Sequence, residues 1–211
     1  MDPFKEQLLH YGREMIARNL TTGTGGNLSI IARHADRIVI TPSGIAYGAM
    51  TPSDMVVCDG AGRVIEGQRR PSSELGFHLA LYRHRRDIGA VVHTHSVYAT
   101  TLACLHLEIP PVHYLVGFAG RNVPLAPYAT FGTPALAEAV TNALGDRNAV
   151  LMANHGLVTV GRDLAAAFNV AEEIELVARI YYQALAVGEP KILSAAQMDE
   201  VLKKFEDYSR P

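Results

Sequence analysis

Apolar positions along the chain recur at two spacings, one of them helical and the other typical of short strands. The helical spacing predicts helices at residues 4–20, 71–83, 97–105, 133–144, 163–187 and 195–208. Short apolar runs bounded by turn-forming residues predict strands at 28–32, 37–41, 55–58, 63–66, 90–95, 149–152 and 157–160. This mixture predicts a single domain over residues 1–211, an α/β fold of the α+β type with a mostly antiparallel central β-sheet covered by helices.

One of the predicted strands carries two histidines. The apolar run Gly-Ala-Val-Val-His-Thr-His-Ser-Val contains His93 and His95. Side chains alternate between the two faces of a strand, so both imidazoles point to the same side. Neutral imidazole binds zinc and other first-row divalent ions, and a catalytic zinc commonly has three protein ligands. The pair alone fits two solvated or hydrogen-bonded histidines at a strand end equally well, so other residues have to decide.

The overall composition is that of an ordinary soluble globular protein, with 48% hydrophobic and 19% charged residues in a chain of 211. A formal net charge of -2 argues against a nucleic-acid-binding protein. The start, Met1-Asp2-Pro3, leads into a charged amphipathic segment, so we expect no signal peptide, no membrane association and a cytoplasmic location. Cys58 and Cys104 have apolar sequence neighbours and are expected to be buried free thiols.

The positions of the lysines restrict the chemistry. Lysine occurs at positions 5, 191, 203 and 204 and nowhere else. The long central part of the chain therefore has no residue that can form a Schiff base to stabilise a carbanion. If the protein stabilises such a charge, a metal ion is the obvious group to do so.

His155 is the third candidate metal ligand. It lies in an Asn-His-Gly turn between two predicted strands, where a side chain can project toward a cleft. Together with His93 and His95 it supplies the three protein ligands of a zinc site, whereas alone it would be interpreted as a turn histidine that faces water. The other histidines have no such partner and are mostly expected at the surface or in the core: His10, His34, His78, His84, His106 and His113.

The sequence Pro-Ser-Ser-Glu at residues 71–74 opens a predicted helix. A serine at the N-cap and an acid in the first turn would simply stabilise the helix N-terminus. The same hydroxyls and free backbone N–H groups would also bind a phosphate without any lysine. Glu74 would then lie beside a phosphorylated substrate, where it could act as a general base or bind the metal. Gly26-Asn27 and Ser43-Gly44 offer further donors in loops beside strands.

Six motifs occur in a fixed order along the chain. They are Gly-Thr-Gly-Gly-Asn (23–27), Thr-Pro-Ser-Gly (41–44), Pro-Ser-Ser-Glu (71–74), His-Thr-His (93–95), Pro-Tyr-Ala-Thr-Phe-Gly-Thr (127–133) and Asn-His-Gly-Leu (154–157). With these motifs the chain resembles the class II aldolase/adducin family over essentially its whole length. The resemblance implies the three-layer fold of that family and a metal-dependent enzyme.

The resemblance also implies a role for individual residues. It implies a zinc ion, or another divalent ion such as manganese, bound by His93, His95 and His155, with Glu74 as resting fourth ligand and catalytic acid/base. The positions that match the family's phosphate-binding residues are Gly26, Asn27, Ser43, Gly44, Ser72 and Ser73. Tyr114 matches a tyrosine that reaches into the neighbouring subunit's site as a proton donor, and Tyr208 matches a second one near the C-terminus. A homotetramer with active sites at subunit interfaces is therefore expected.

The implied activity is the zinc-dependent cleavage of a ketose 1-phosphate, L-fuculose 1-phosphate or a similar sugar, to dihydroxyacetone phosphate and a small aldehyde. A metal-stabilised enediolate is the intermediate that this chemistry requires. Sugar-phosphate decarboxylases, epimerases and dehydratases of the family use the same site and are the alternatives. A non-catalytic interaction domain like that of adducin would be expected to lack the metal ligands that this chain has.

Overall fold

The structure, a computed structural model, describes residues 2–208, and for residues 206–208 the backbone alone. The strands in this range are β1 (Asn27–Ala32), β2 (Arg37–Ile40), β3 (Val56–Asp59), β4 (Val64–Glu66), β5 (Ala90–Thr94), β6 (Leu125–Ala126), β7 (Ala149–Met152) and β8 (Gly156–Gly161). The α-helices are α1 (Pro3–Ala17), α2 (Leu75–His84), α3 (Val97–Cys104), α4 (Pro134–Leu144), α5 (Leu164–Val187) and α6 (Ala195–Tyr208). The strands form one sheet in the order β4-β3-β2-β1-β5-β8-β7-β6.

The sheet is mostly antiparallel, as predicted, because every neighbouring pair except β6 and β7 runs antiparallel. β5 lies in the middle, between β1 and β8. At its end His93 is opposite Asn27 of β1, and Thr94 is opposite Leu157 of β8. The end of β5 therefore meets the beginnings of two other strands at one end of the sheet.

Helices cover both faces of this sheet, which confirms the predicted three-layer fold. Along β5, Val91 packs in a core formed with α2 and α4, whereas Ala90 and Val92 pack beneath α1 and α5. A further apolar cluster joins α3, α5 and α6 to β7 and β8. His93 follows Val91 at a spacing of two residues, so its side chain emerges on the face covered by α2.

Several helices begin where the sequence supplies a capping side chain. Asp2, Thr133 and Asp163 accept hydrogen bonds from backbone N–H groups in the first turns of α1, α4 and α5. The prediction that α2 begins at Pro71 with a serine cap was wrong, because the helix begins at Leu75 and Glu74 is its N-cap residue. Ser72 is held instead in a turn, where its carbonyl accepts from the Leu75 N–H at 3.1 Å.

Other differences from the predicted elements are small. The first helix ends at Ala17 rather than at residue 20, because Asn19 adopts the left-handed conformation at φ 57°. The two-residue strand β6 was not predicted. Cys58 is buried in β3 as expected, but Cys104 is exposed because it is the last residue of α3. Over the part of the chain that the structure describes, no helix is both long and apolar enough to cross a membrane.

Candidate active site

The end of β5 places two histidines side by side. His93 is completely buried at the end of the strand, and His95 lies just beyond it with its side chain exposed to a cavity. Their ring centroids are 4.8 Å apart, and their Nε2 atoms are separated by 3.0 Å. The alternation expected of a strand therefore holds through His95, one residue past the regular hydrogen-bonded pairing.

His155 approaches the pair from the turn between β7 and β8. Its ring centroid lies 4.9 Å from that of His93 and 5.4 Å from that of His95. The turn can come this close because Gly156 follows. A Cβ atom at Gly156 would lie 2.4 Å from the Thr94 carbonyl oxygen and 3.1 Å from the His95 ring. One ring nitrogen of each histidine lies within 4.8 Å of the others, so the three could share one metal ion.

Glu74 faces the histidine cluster from the N-cap position of α2. Its Oε2 lies 3.2 Å from His93 Nε2, and its Oε1 lies 3.3 Å from His155 Nε2. The Asn27 side-chain amide donates a hydrogen bond of 2.9 Å to Oε2. Burial alone would raise the pKa of Glu74, but the neighbouring imidazoles and the Asn27 amide hold it at about 2. The side chain is therefore a carboxylate at neutral pH although it is only 6% exposed.

The donor set of this cluster fits a divalent cation. His93 Nδ1 donates to the Leu157 carbonyl oxygen at 3.0 Å, so Nε2 is the ring nitrogen that faces the cluster. Burial and repulsion from His93 lower the pKa of His95 and His155 to about 4, so both are neutral at neutral pH. Ligand atoms about 2.1 Å from a tetrahedral zinc would be roughly 3.4 Å apart, close to the separations in this cluster. The buried Glu74 Oε1 has no hydrogen-bond partner among the described residues and remains available as a ligand.

A cavity of about 480 Å³ opens beside the cluster. It is lined by all six predicted phosphate-binding residues, Gly26, Asn27, Ser43, Gly44, Ser72 and Ser73, together with Glu74, His95 and His155. Among the described residues that line it there is no lysine or arginine. A phosphate here would therefore be bound by neutral hydroxyl and amide donors.

Two of these serines can offer only part of their hydrogen-bonding capacity. The backbone N–H of Ser43 donates to the Arg70 carbonyl at 3.0 Å, and that of Ser72 donates to the Thr41 carbonyl at 3.1 Å. The Ser72 hydroxyl oxygen also accepts from the Glu74 N–H at 3.2 Å, so the O–H groups of the two serines are what is left to donate to a ligand. The turn that precedes β1 needs a glycine at Gly26, because φ is +70° and a Cβ would lie 2.5 Å from the His93 carbonyl oxygen.

Comparison with known proteins assigns the family. The family model "Class II Aldolase and Adducin N-terminal domain" matches residues 6–182. The chain belongs to this family. It is 52% identical over 206 residues to the 5-deoxy-D-ribulose 1-phosphate aldolase of Bacillus thuringiensis serovar kurstaki, covering 98% of this chain and 97% of the relative.

Other members of the class II aldolase/adducin family are similar over the same length. The L-fuculose phosphate aldolase of Escherichia coli strain K12 is 43% identical over 204 residues, covering 96% of this chain and 94% of that protein. A solved structure of an L-fuculose 1-phosphate aldolase superposes with a TM-score of 0.96 at 44% identity, covering 98% of this chain and 97% of that one. The fold and the family that the sequence motifs indicated are thereby confirmed.

Of the two tyrosines predicted to take part, Tyr114 lies apart from this cavity. Tyr114 begins the 3₁₀ segment Tyr114–Phe118 and is 51% exposed. It lines a second cavity, between this segment and α6, together with Leu115, Phe118 and Phe205. The side chain of Tyr208 lies outside the described residues, so its role stays a prediction.

The sequence analysis gave no role to three residues that line the cavity or are hydrogen-bonded to a residue that lines it. Tyr128 and Phe131 line the cavity and are 63% and 64% exposed. Both belong to the motif at 127–133, which indicated the family but was given no role of its own. His78 is completely buried behind Asn27, to which it is hydrogen-bonded. It follows Glu74, the N-cap residue of α2, by four residues, and this spacing of about one helical turn was a signal in the sequence that the two side chains lie on the same side.

Proposed function

We propose that the protein is a divalent-metal-dependent aldolase that cleaves a ketose 1-phosphate to dihydroxyacetone phosphate and a small aldehyde. Membership of the class II aldolase/adducin family and the aldolase relatives support this activity. One observation carries the proposal: a buried carboxylate, Glu74, faces three histidines beside a cavity lined by neutral phosphate donors. The three parts needed are therefore adjacent, namely a base, a metal-ligand set and a substrate cavity.

The metal-ligand set would consist of His93, His95 and His155, with Glu74 as the fourth ligand before substrate binds. Zinc suits three imidazoles and one carboxylate, and manganese is also compatible with these ligands. When bound, the cation supplies a Lewis acid for the negative charge that develops on the substrate's carbonyl and hydroxyl oxygens.

The chain's own residues would carry the binding and proton-transfer steps. The hydroxyls of Ser43, Ser72 and Ser73 would bind the phosphate at the open end of the cavity. Glu74 would return a proton to carbon 3 of dihydroxyacetone phosphate during cleavage and remove it during condensation. Tyr114 of a neighbouring subunit would exchange a proton with the aldehyde oxygen. A homotetramer with sites at subunit interfaces and a cytoplasmic location complete the proposal.

Among the substrates, we favour 5-deoxy-D-ribulose 1-phosphate over L-fuculose 1-phosphate. The relative named for the first sugar is 52% identical to this chain, and the relative named for the second is 43% identical. Both sugars give dihydroxyacetone phosphate. The first would also give acetaldehyde and the second lactaldehyde, so the aldehyde released distinguishes the two.

A second candidate function has one observation in its favour. A solved structure described as a putative aldolase/epimerase/decarboxylase from Escherichia coli superposes with a TM-score of 0.84 at 32% identity. Epimerisation, decarboxylation or dehydration of a sugar phosphate would use the same carboxylate and histidines. These reactions differ from aldol cleavage because none of them releases dihydroxyacetone phosphate.

The test combines metal analysis with product identification. The purified protein is assayed for bound metals, then incubated with each ketose 1-phosphate before and after chelation and re-addition of zinc or manganese. We expect one divalent ion per chain, release of dihydroxyacetone phosphate with an aldehyde, and loss of cleavage on chelation. Carbon dioxide, an epimerised sugar or a dehydrated sugar as the product, or full activity without metal, would overturn the proposal.

A further inference from the structure

A chain of buried polar side chains leads inward from Glu74. Asn27 donates to Glu74 Oε2 at 2.9 Å, and His78 Nε2 lies 2.5 Å from the other end of the same amide, Asn27 Oδ1. His78 Nδ1 lies 2.6 Å from the hydroxyl of Ser29, which lies 2.8 Å from the hydroxyl of Tyr82. All five side chains are buried. None of the three inner members, His78, Ser29 and Tyr82, lines the cavity.

The direction of each hydrogen bond in this chain is fixed by the carboxylate. Glu74 can only accept, so the Asn27 NH₂ group must point toward it and the Asn27 oxygen toward His78. His78 Nε2 must therefore carry a proton and donate to that oxygen. Burial lowers the pKa of His78 to about 3, so the ring is neutral and its Nδ1 accepts from the Ser29 hydroxyl.

The opposite tautomer of His78 would disturb Glu74. A lone pair on Nε2 would face the Asn27 oxygen, and the amide would have to turn over to offer its NH₂ group to the histidine. The Asn27 oxygen would then point at the Glu74 carboxylate, and two acceptors at 2.9 Å repel each other. The orientation of Glu74 therefore depends on which ring nitrogen of His78 carries the proton.

Packing holds the His78 ring in place as well. It stacks on Phe77 with centroids 4.6 Å apart and an interplanar angle of 19°. Phe77 in turn contacts His93 edge-on at 5.7 Å. The one proton of the Tyr82 hydroxyl is donated to Ser29, whose hydroxyl oxygen lies 2.8 Å and whose carbonyl oxygen lies 3.0 Å from it, and this contact anchors the inner end of the chain to β1.

We infer that His78 is a positioning residue, which fixes the Asn27 amide and through it the Glu74 carboxylate opposite His93 and His155. This inference rests on the proposed function, in which Glu74 carries the proton. His78 does not touch the cavity, and its effect on turnover passes through Asn27 alone.

Two amide substitutions of His78 distinguish a positioning role from a role in core packing alone. In His78→Gln the side-chain amide reaches the position of Nε2 and keeps a donor for Asn27, whereas in His78→Asn it reaches only the position of Nδ1. We expect His78→Asn to lower kcat about tenfold or more, which corresponds to the loss of one hydrogen bond that orients the catalytic group. In His78→Gln kcat should fall by less than about threefold, and KM should change less than about twofold in both variants.

Thr159→Val serves as the control for a general loosening of the sheet. Thr159 is fully buried on the opposite face and donates to the Ala167 carbonyl at 2.8 Å. Its loss should lower the unfolding temperature without changing kcat. Equal kcat in His78→Asn and wild type would overturn the inference, and so would equal losses in His78→Asn, His78→Gln and Thr159→Val.

Nuclear magnetic resonance gives a readout that needs no turnover. In metal-free protein labelled with ¹⁵N, we expect His78 to carry its proton on Nε2, and the Asn27 side-chain NH₂ to exchange slowly with solvent. His78→Asn should speed that exchange, and His78→Gln should preserve it. A proton on Nδ1, or unchanged exchange in His78→Asn, would contradict the inference. A wild-type protein inactive on every ketose 1-phosphate would instead contradict the proposed function and leave these spectra to decide the role of His78.

Discussion

Two cavities of the molecule differ in the residues that line them and in how firmly hydrogen bonds hold those residues. The cavity at the end of β5 collects side chains from loops tied to the sheet, and a network of hydrogen bonds fixes its carboxylate. The cavity beneath α6 lies between a helix and a 3₁₀ segment and is lined mainly by apolar and aromatic groups, with Tyr114 half exposed at its wall. The first holds a hydrogen-bonded carboxylate, Glu74, and the three histidines that could share a metal ion, all from one chain. The second holds Tyr114 apart from the histidine cluster, in a lining that also includes Glu173, Glu200 and Lys204.

This difference suggests how the two regions divide the proposed chemistry. Pre-organised polar groups are most effective where charge develops, and those of this chain lie around Glu74. A proton donor that arrives from a neighbouring chain needs a surface position instead, which is where Tyr114 lies. The following predictions test that division, beginning with the largest effect.

Removal of a metal ligand should have the largest effect. In His95→Ala the protein should lose its bound divalent ion, and cleavage should fall to background, because both the charge stabilisation and the position of Glu74 depend on the cluster. Metal analysis and a cleavage assay measure this, with circular dichroism to verify folding. Full activity in a folded, metal-free variant would show that the histidine cluster is not the reaction centre.

Glu74→Gln should keep much of the metal but lose the base. We expect kcat to fall by about two to four orders of magnitude, the range typical of a removed general acid or base. Exchange of the hydrogen on carbon 3 of dihydroxyacetone phosphate with deuterated solvent isolates this step and should be lost in parallel. If exchange persisted at the wild-type rate, another residue would be the base.

Tyr114→Phe should reduce activity less, by about 10- to 100-fold, because it removes one proton transfer and leaves the cavity intact. Carbon 3 exchange should be unaffected. Co-expression with Glu74→Gln provides a sharper test, because a site with both intact residues can form only between different chains. In a random 1:1 mixture about a quarter of the sites would then be active. If the co-expressed variants recovered no activity, Tyr114 would act in the site of its own chain or would not take part in catalysis.

The smallest effect concerns stability in acid. Burial lowers the pKa of His78 to about 3 in the folded protein, below the value of an unfolded histidine near 6.5. The unfolded state thus binds the extra proton first, and the stability of the fold declines as the pH falls from 6.5 toward 3. One proton contributes up to about 1.4 kcal/mol per pH unit to the free energy of unfolding.

Urea unfolding of the metal-free protein at several pH values measures this slope. In His78→Asn the free energy of unfolding should decrease less steeply as the pH falls, by an amount that corresponds to up to one proton. His34→Asn, at an exposed histidine, controls for the loss of a histidine as such. An unchanged slope in His78→Asn would mean that the ring is not neutral in the fold.

The parts of the site that follow from local periodicity were predictable from the sequence. The alternation of a strand is enough to place His93 and His95 on one side, and the Asn-His-Gly turn indicates that His155 projects. The phosphate loops carry no such local signal. Ser72 was proposed as a donor from its place at a predicted helix start and Ser43 from its loop, and the family resemblance then matched both. Only the structure shows that their backbone N–H groups are already occupied.

What was missed depends on contacts between distant segments. The interpretation of His78 as an ordinary core or surface histidine followed from its helix alone, whereas its partners Asn27 and Ser29 lie about 50 residues earlier, on β1. The true start of α2 was set by the link between Ser72 and Thr41, which also joins distant segments. The exposure of Cys104 follows from the place where its helix ends, and helix ends are poorly defined by apolar spacing.

The place of β5 between β1 and β8 has a consequence for how the protein acquires its metal-binding ability during folding. Asn27, His93 and Leu157, which lie together at one end of the sheet, are separated along the chain by intervals of roughly 60 residues. Long loops must close before these strands pair, and such pairings form slowly. The metal ion of the proposed function would therefore not nucleate this fold as it does in a zinc finger. It would bind last, and its uptake during refolding would report that the centre of the sheet is complete.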